Sequence, residues 1–263
     1  MEGLIARFAI RRPALALLVG CAAVPAPAPI PSGPRLTVLT YNVNFEQYDP
    51  ATVAAIAAAD ADLVVLQETN ARWEAEVRRA LADRYPTIRF EDHEPDGGMG
   101  VLSRFPVTPI AWRPSPVGKF PAWCLAVETP HGPLNVLALH LHPPLDEEGS
   151  LLAGYFTTSG ARLTELTDHL GCFAGPPDLA LGDLNEGEGD AVDLLVARGL
   201  SDAAEAFPPA VRTWRWDTPL IELQGRPDHV FHGPGWVPAA VDVLELGASD
   251  HRPLRVTLAR VAP

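Results

Sequence analysis

The sequence predicts an α/β domain in which a mixed sheet, or two sheets, carries helices on its outer faces. Short β-rich apolar runs alternate with stretches opened by helix-capping residues, and several runs follow one another with no helix between them. The composition supports this. At 263 residues, 47% hydrophobic and 20% charged, the chain can bury a core and is neither an intrinsically disordered chain nor a coiled coil. Its 28 Pro and 21 Gly follow no collagen period, and three Cys cannot build a disulfide miniprotein.

The first element stands apart from the domain. Residues 1–12 hold Arg7, Arg11 and Arg12 against one acid, Glu2, and an apolar run over 13–20 follows. These are the charged and apolar regions of an export signal. The run is too short to cross a bilayer core, which takes about twenty apolar residues. It ends in Leu18-Val19-Gly20-Cys21, which resembles the bacterial lipoprotein signal, cut before a Cys whose thiol is then lipidated. That resemblance implies an exported protein anchored to the membrane of the cell envelope through Cys21. Residues 21–34, rich in Pro and Ala, read as a stiff linker. Residues 1–20 carry three positive charges and one negative, so the rest of the chain stands at −15 where the whole stands at −13. Such a surface offers nucleic acid no long-range attraction, and a polyanionic substrate needs the local charge of a metal ion.

From 35 to 263 no linker, low-complexity tract or repeat interrupts what reads as one domain. Strands are predicted over 36–41, 62–67, 99–102, 107–112, 123–128, 134–141, 178–181, 229–231, 241–246 and 253–258. A helix over 51–59 is opened by Asp49 as N-cap and Pro50 at the first position, and one over 71–83 by Thr69 or Asn70. A third, over 161–170, follows Ser159-Gly160, and a fourth, over 190–198, ends at Gly199. An oxidising, exported location allows a disulfide between Cys124 and Cys172, although sequence alone does not give the Cα separation it requires.

The polar residues gather where these runs end or begin. Six segments show it: Tyr41-Asn42-Val43-Asn44, Gln67-Glu68-Thr69, His140-Leu141-His142, Gly182-Asp183-Leu184-Asn185, Pro227-Asp228-His229 and Ser249-Asp250-His251. Any one alone is what a strand looks like where it meets solvent. Together, built from carboxylates, amides and imidazoles without a thiol, they describe rigid posts whose tips converge on one pocket.

Over about 35–258 the sequence resembles the endonuclease/exonuclease/phosphatase superfamily, the group of deoxyribonuclease I, the AP endonucleases, neutral sphingomyelinases and inositol polyphosphate phosphatases. Tyr41-Asn42-Val43-Asn44 looks like the first motif of that family, Leu66-Gln67-Glu68-Thr69 the second, and Gly100-Val101-Leu102-Ser103-Arg104-Phe105-Pro106 the strand that follows. Leu139-His140-Leu141, Gly182-Asp183-Leu184-Asn185 and Ser249-Asp250-His251-Arg252-Pro253-Leu254 look like the histidine, central and last motifs. Leu139 departs from the Thr that many members carry there. The resemblance implies a four-layer, deoxyribonuclease I-like α/β sandwich of two mixed β-sheets with helices on both outer faces and a site at one edge.

The implied activity is metal-dependent hydrolysis of a phosphodiester or phosphomonoester by activated water. Glu68 is the expected Mg²⁺ ligand, with Mn²⁺ as a substitute, Asn42 supplying a neutral oxygen and Asp250 a second carboxylate. Asp183 and Asn185, two apart on one strand tip, are expected to face the same way and to position and deprotonate the water. His251 beside Asp228 reads as an imidazole oriented by a carboxylate, while His140 contacts the phosphate oxygens or protonates the leaving group. Whether Asp183 or His251 takes the proton stays open. So does the substrate: a phospholipid headgroup, a small phosphodiester or nucleic acid. A secreted nuclease is one alternative and an inactive lipid-tethered binding module another, and a monomer is expected.

Other motifs carry less. His140-Leu141-His142 alternates as zinc ligands do but is followed by Pro143-Pro144, without the Asp-His continuation. The loop from Asp183 has Glu188 and Leu194 where an EF-hand needs Gly and Glu, so calcium fails. Asp96-Gly97-Gly98-Met99-Gly100 lacks Gly-Lys-Ser/Thr and reads as a turn. Trp214 and Trp216 share a face, in the core or at a cleft rim. His93, His131, His169 and His232 receive no role. Lys119 is the single Lys, so any grip on DNA would fall to the metal and a few Arg such as Arg104.

Overall fold

The computed structural model describes residues 32–93, 97–145, 154, 157–207, 211–217 and 221–261. The expected export signal over 1–20, Cys21 and the linker as far as residue 31 lie outside them. In chain order the first strands are β1 (Arg35–Asn42), β2 (Leu63–Thr69), β3 (Thr87–Glu91), β4 (Gly98–Ser103) and β5 (Val107–Arg113). Then come β6 (Ala122–Thr129), β7 (Gly132–His140), β8 (Leu179–Asp183), β9 (Ser201–Asp202) and β10 (Trp214–Asp217). The last are β11 (Glu222–Gly225), β12 (Asp228–His232), β13 (Trp236–Val243) and β14 (Leu254–Arg260). Among the described residues, the α-helices are α1 (Pro50–Ala59), α2 (Ala71–Leu81), α3 (Ser159–His169) and α4 (Asp190–Ala197).

Two six-stranded mixed sheets result, in the orders β13-β14-β1-β2-β4-β3 and β5-β6-β7-β8-β12-β9, and β10 and β11 form a separate hairpin. Leu36, Val38, Val65 and Val101 of the first sheet meet Trp123, Val136, Leu181 and Val230 of the second in the central core. The alternate residues of the same strands face outward: Leu39, Val64 and Leu66 pack with Ile56 of α1 and Trp73 and Val77 of α2. On the other side Leu137, Leu139 and Ala180 pack with Leu166 of α3 and Leu195 of α4. Strands covered on both faces read as nearly continuous apolar runs, which is why the sequence shows them so plainly.

Strand direction decides where the polar tips go. β1 and β2 run parallel, pairing Asn42 with Gln67, and β7 and β8 run parallel, pairing His140 with Asp183. Parallel neighbours end at the same edge, so each pair delivers its last side chains to one side of its sheet. β12 is antiparallel to β8 with Asp228 opposite Asp183, so it begins where β8 ends. β14 is antiparallel to β1 with Leu254 opposite Thr40, which brings the preceding His251 to that edge too.

The helix starts follow their caps. Asp49 Oδ1 accepts the Ala51 N–H at 2.7 Å, and Asn70, not Thr69, caps α2, its Oδ1 accepting the N–H groups of Arg72 and Trp73. α2 ends and α3 begins two residues earlier than expected. The strand expected over 241–246 is β13 instead. Its Pro238 sits at a register shift on an edge strand, where a missing N–H is tolerated. The edge strand β3, whose apolar residues alternate with polar ones, the two-residue β9 and the hairpin lie outside the strands expected from the sequence. Cys124 on β6 and Cys172 are joined in a disulfide with Cα atoms 6.6 Å apart, inside the limit of about 7 Å for such a bridge.

Candidate active site

Backbone strain marks the edge where the tips meet. Of the four non-glycine residues with positive φ among the described residues, three are Asn44 (61°), Glu68 (56°) and Asn185 (54°), and such conformations persist only where surrounding structure imposes them. Glu68 lies at a bulge, where the β2–β4 pairing shifts between Gln67 and Thr69, and this turns its side chain out of the ladder. The turn needs Gly97 (φ +80°), because a Cβ there would stand 2.9 Å from the Glu68 Cα. Gly182 plays a similar part before Asp183: a Cβ would meet the Leu139 carbonyl oxygen at 1.9 Å, so only Gly lets β8 lie this close to β7.

Asn42 joins the two sheets. Its Nδ2 donates to Glu68 Oε1 at 2.9 Å and to Asp183 Oδ2 at 3.1 Å, while its Oδ1 accepts the Asn44 N–H at 3.1 Å. Turning the amide over would aim its NH₂ at that N–H, so the orientation is settled by the backbone. Asn42 thus presents donors to the two carboxylates, with one lone pair of its Oδ1 on the Asn44 N–H. Asp183 Oδ1 accepts the Asn185 N–H at 2.8 Å, and Asn185 Nδ2 donates to the Leu141 carbonyl at 2.8 Å. Asn185 therefore lies beyond the strand tip in a left-handed turn. It does not continue the face of Asp183 as strand alternation would have it, and only its Oδ1 remains for a ligand.

His251 Nδ1 is 2.9 Å from Asp228 Oδ2, and its Nε2 is 3.7 Å from Asp183 Oδ2. Burial alone would lower its pKa, but Asp228 and Asp183 outweigh burial and raise it to about 10, so the ring is an imidazolium. Asp183 is pushed up to about 7, chiefly by burial and further by Asp228, against the opposing pull of His251. Burial raises the Glu68 pKa as well, countered by the Asn42 hydrogen bond.

His140 stacks on Phe120 with ring centroids 3.5 Å apart, and its unpartnered Nε2 lies 3.7 Å from Asp183 Oδ2 and 3.9 Å from Glu68 Oε1. Burial, then the charges of His251 and His93, hold its pKa well below the usual imidazole range. That shift favours the neutral ring, whose Nε2, free of protein partners, faces the same edge as Asp183 and Glu68. Asp250 is exposed and held by Trp214 Nε1 at 3.0 Å and Asn44 Nδ2 at 3.4 Å. Ser249 Oγ donates to the Asn42 carbonyl at 2.8 Å and accepts the His251 N–H at 3.1 Å, closing the ring of contacts.

Glu68, Asp183, Asp228 and Asp250 surround one imidazolium, and one buried Asp228 oxygen has no partner. That excess of negative charge fits a divalent cation. Among the described residues, Asp183, Asp228 and His251 are the group that offers one ligand atom each within 4.8 Å of one another. His142 is not part of the cluster; its Nδ1 lies 2.8 Å from the Pro143 carbonyl oxygen. Arg104 is excluded too. It follows Ser103, which pairs with Leu63 at the opposite end of β2 from Glu68, and it is bound to Asp60 and Asp62. Phe120, Asn44 and Trp214 are the contributors that sequence reasoning did not assign, and of these only Asn44 stood inside a motif.

Two mixed sheets face to face, helices outside and a polar cluster at one edge define a deoxyribonuclease I-like sandwich. The chain belongs to the Endonuclease/Exonuclease/phosphatase family, whose model matches residues 39–251. Similar solved structures include an endonuclease/exonuclease/phosphatase from Beutenbergia cavernae (22% identity, TM-score 0.64, 86% of this chain and 72% of that one). Another is D. rerio TDP2 complexed with single strand DNA product (19% identity, TM-score 0.64, 85% and 98%). A third is a mannosyl-6-phosphatase from Bacteroides thetaiotaomicron (19% identity, TM-score 0.60, 85% and 99%). No curated protein matches the sequence significantly.

Proposed function

We propose that the domain is a Mg²⁺-dependent phosphoesterase that hydrolyses a small phosphodiester or phosphomonoester with activated water. The observation that carries this reading is the single cluster of Glu68, Asp183, Asp228, His140 and His251, drawn from both sheets and tied together by Asn42. Glu68 and Asp250 are the ligands we assign to the metal, since the His251 ring is taken up by Asp228 at Nδ1 and faces Asp183 with Nε2. Bound there, Mg²⁺ or Mn²⁺ would neutralise phosphate charge that the acidic protein cannot. Asp183 accepts the proton of the attacking water, its raised pKa matching that of a base used near neutral pH. Asn185 Oδ1 orients the water. His251 Nε2–H and the neutral His140 ring donate to phosphate oxygens as negative charge builds on them, and Asp228 keeps His251 charged and aimed.

The test is hydrolysis of bis-p-nitrophenyl phosphate, diacyl and lyso phospholipids and plasmid DNA by the purified domain, with and without Mg²⁺. Chelation is expected to abolish turnover, and Glu68→Ala, Asp183→Ala and His251→Ala each to lose on the order of a hundredfold or more while remaining folded. Full activity of Asp183→Ala would overturn the assignment. Anchoring of a monomeric domain to the cell envelope through lipidated Cys21 belongs to the same proposal, and the Cys124–Cys172 disulfide supports an oxidising location.

A further inference from the structure

Beyond Trp214, the hairpin of β10 and β11 has no part in the chemistry above, yet its root is fastened to the site. Trp214 forms a β-bridge with His251, the Arg215 N–H donates to the Asp250 carbonyl at 3.1 Å, and the Arg252 N–H donates to the Thr213 carbonyl at 2.7 Å. The Trp214 indole reaches Asp250 itself. That contact identifies which face of the ribbon looks toward the cluster, because side chains alternate and residues 214 and 216 share a face. Leu223 lies directly opposite Trp216 in the pairing and so shares that face as well. Trp216 is 47% exposed and Leu223 38% exposed. A contiguous apolar pair is therefore kept in water roughly 7 Å along the strand from the residue that holds Asp250.

We infer that Trp216 and Leu223 form an apolar subsite that receives the ester group of the substrate, selecting phosphate esters with an aryl or alkyl substituent over those carrying further charge. The inference rests on the phosphoesterase reading above and narrows its substrate class. An indole face beside an aliphatic side chain packs against flat or flexible apolar groups alike. The four carboxylates of the cluster and a chain at −15 beyond residue 20 repel a second anionic group brought to the same place.

Two measurements separate this inference from the reading beneath it. The first is turnover of p-nitrophenyl phosphodiesters whose second ester group is methyl, phenyl or octyl, with one chromophore throughout. In the wild type kcat/KM is expected to rise at least roughly tenfold from methyl to the larger groups, the size of one good aromatic or aliphatic contact. Trp216→Ala and Leu223→Ser should collapse that ratio through KM, Trp216→Phe should restore most of it, and Gln224→Ala on the opposite face should leave it intact. A gain with phenyl alone identifies an aryl ester, and a gain with octyl alone a lipid chain. The second is calorimetric binding of methyl and phenyl phosphate, which needs no turnover. If the phenyl preference exists and depends on Trp216 while nothing is hydrolysed, the subsite stands and the phosphoesterase reading falls. No preference in the wild type, or the same ratio in Trp216→Ala, overturns the subsite.

Discussion

The loop after Asn185 is held by a buried ion pair whose removal can be worked out in advance. Arg162 of α3 donates from Nε to Glu186 Oε2 at 2.7 Å and from Nη1 to Thr158 Oγ1 at 2.7 Å and the His142 carbonyl at 3.3 Å. Glu186 Oε1 accepts the Ala191 and Val192 N–H groups in the first turn of α4. Both side chains are 2% exposed. Arg162→Met keeps the volume but strands the Glu186 carboxylate without its cation, which typically costs about 3–5 kcal/mol in a buried pair. At roughly 2–4 °C per kcal/mol for a chain of this size, the melting temperature should fall by about 6–20 °C. Glu186→Gln strands the Arg instead, while its amide oxygen can still accept in the first turn of α4. The double variant Arg162→Met/Glu186→Gln should therefore lose less than the two single losses combined, with a coupling of about 2 kcal/mol or more. Urea unfolding of the four proteins at pH 7, disulfide intact, measures this cycle. A single-variant loss below about 1 kcal/mol, or strict additivity, would refute the reasoning. Because Arg162 also holds His142, two residues past His140, activity should fall in the variants even at temperatures where they remain folded.

His169 is fully buried with neither ring nitrogen hydrogen-bonded, and burial, opposed by Asp168, lowers its pKa from 6.5 to about 4. The unfolded chain then binds the proton first as pH falls, so this stability is present above pH 6.5 and lost toward pH 4, about 3 kcal/mol in all. His169→Leu should flatten that part of the profile in denaturant unfolding between pH 7 and 4, and an unchanged slope would contradict it. With the Arg104 charge taken up by Asp60 and Asp62, affinity for DNA at saturating Mg²⁺ should change little or improve from low to moderate NaCl. A steep fall in a filter-binding titration would reveal a basic groove. Cys21→Ser should release the domain into the soluble export fraction, and membrane retention of that variant would argue against lipidation.

The sequence determined by itself what is local. Apolar runs such as 36–41 and 62–67 read as buried strands, Asp49-Pro50 opens a helix because the Asp side chain accepts an N–H two residues on, Thr69-Asn70 marks the next helix start within one residue, and the motif spacing named the acids and imidazoles of the site. These signals lie within a few positions of each other, where propensity and periodicity act. The tertiary structure decided whatever depends on groups far apart in the chain. Asn42 and Asp183 are 141 positions apart, and only the closing of the two sheets places the Asn42 amide as a donor between two carboxylates. Phe120 lies in no motif, yet its ring covers His140 and its packing helps keep that imidazole dry and neutral. Trp214 and Trp216 read as core or rim with equal justice until a hydrogen bond to Asp250 ties one to the site and leaves the other in water. The identity of an ionisable group is written in the chain, but its charge state depends on burial and on neighbours supplied by other strands, and those exist only after the two sheets have closed on each other.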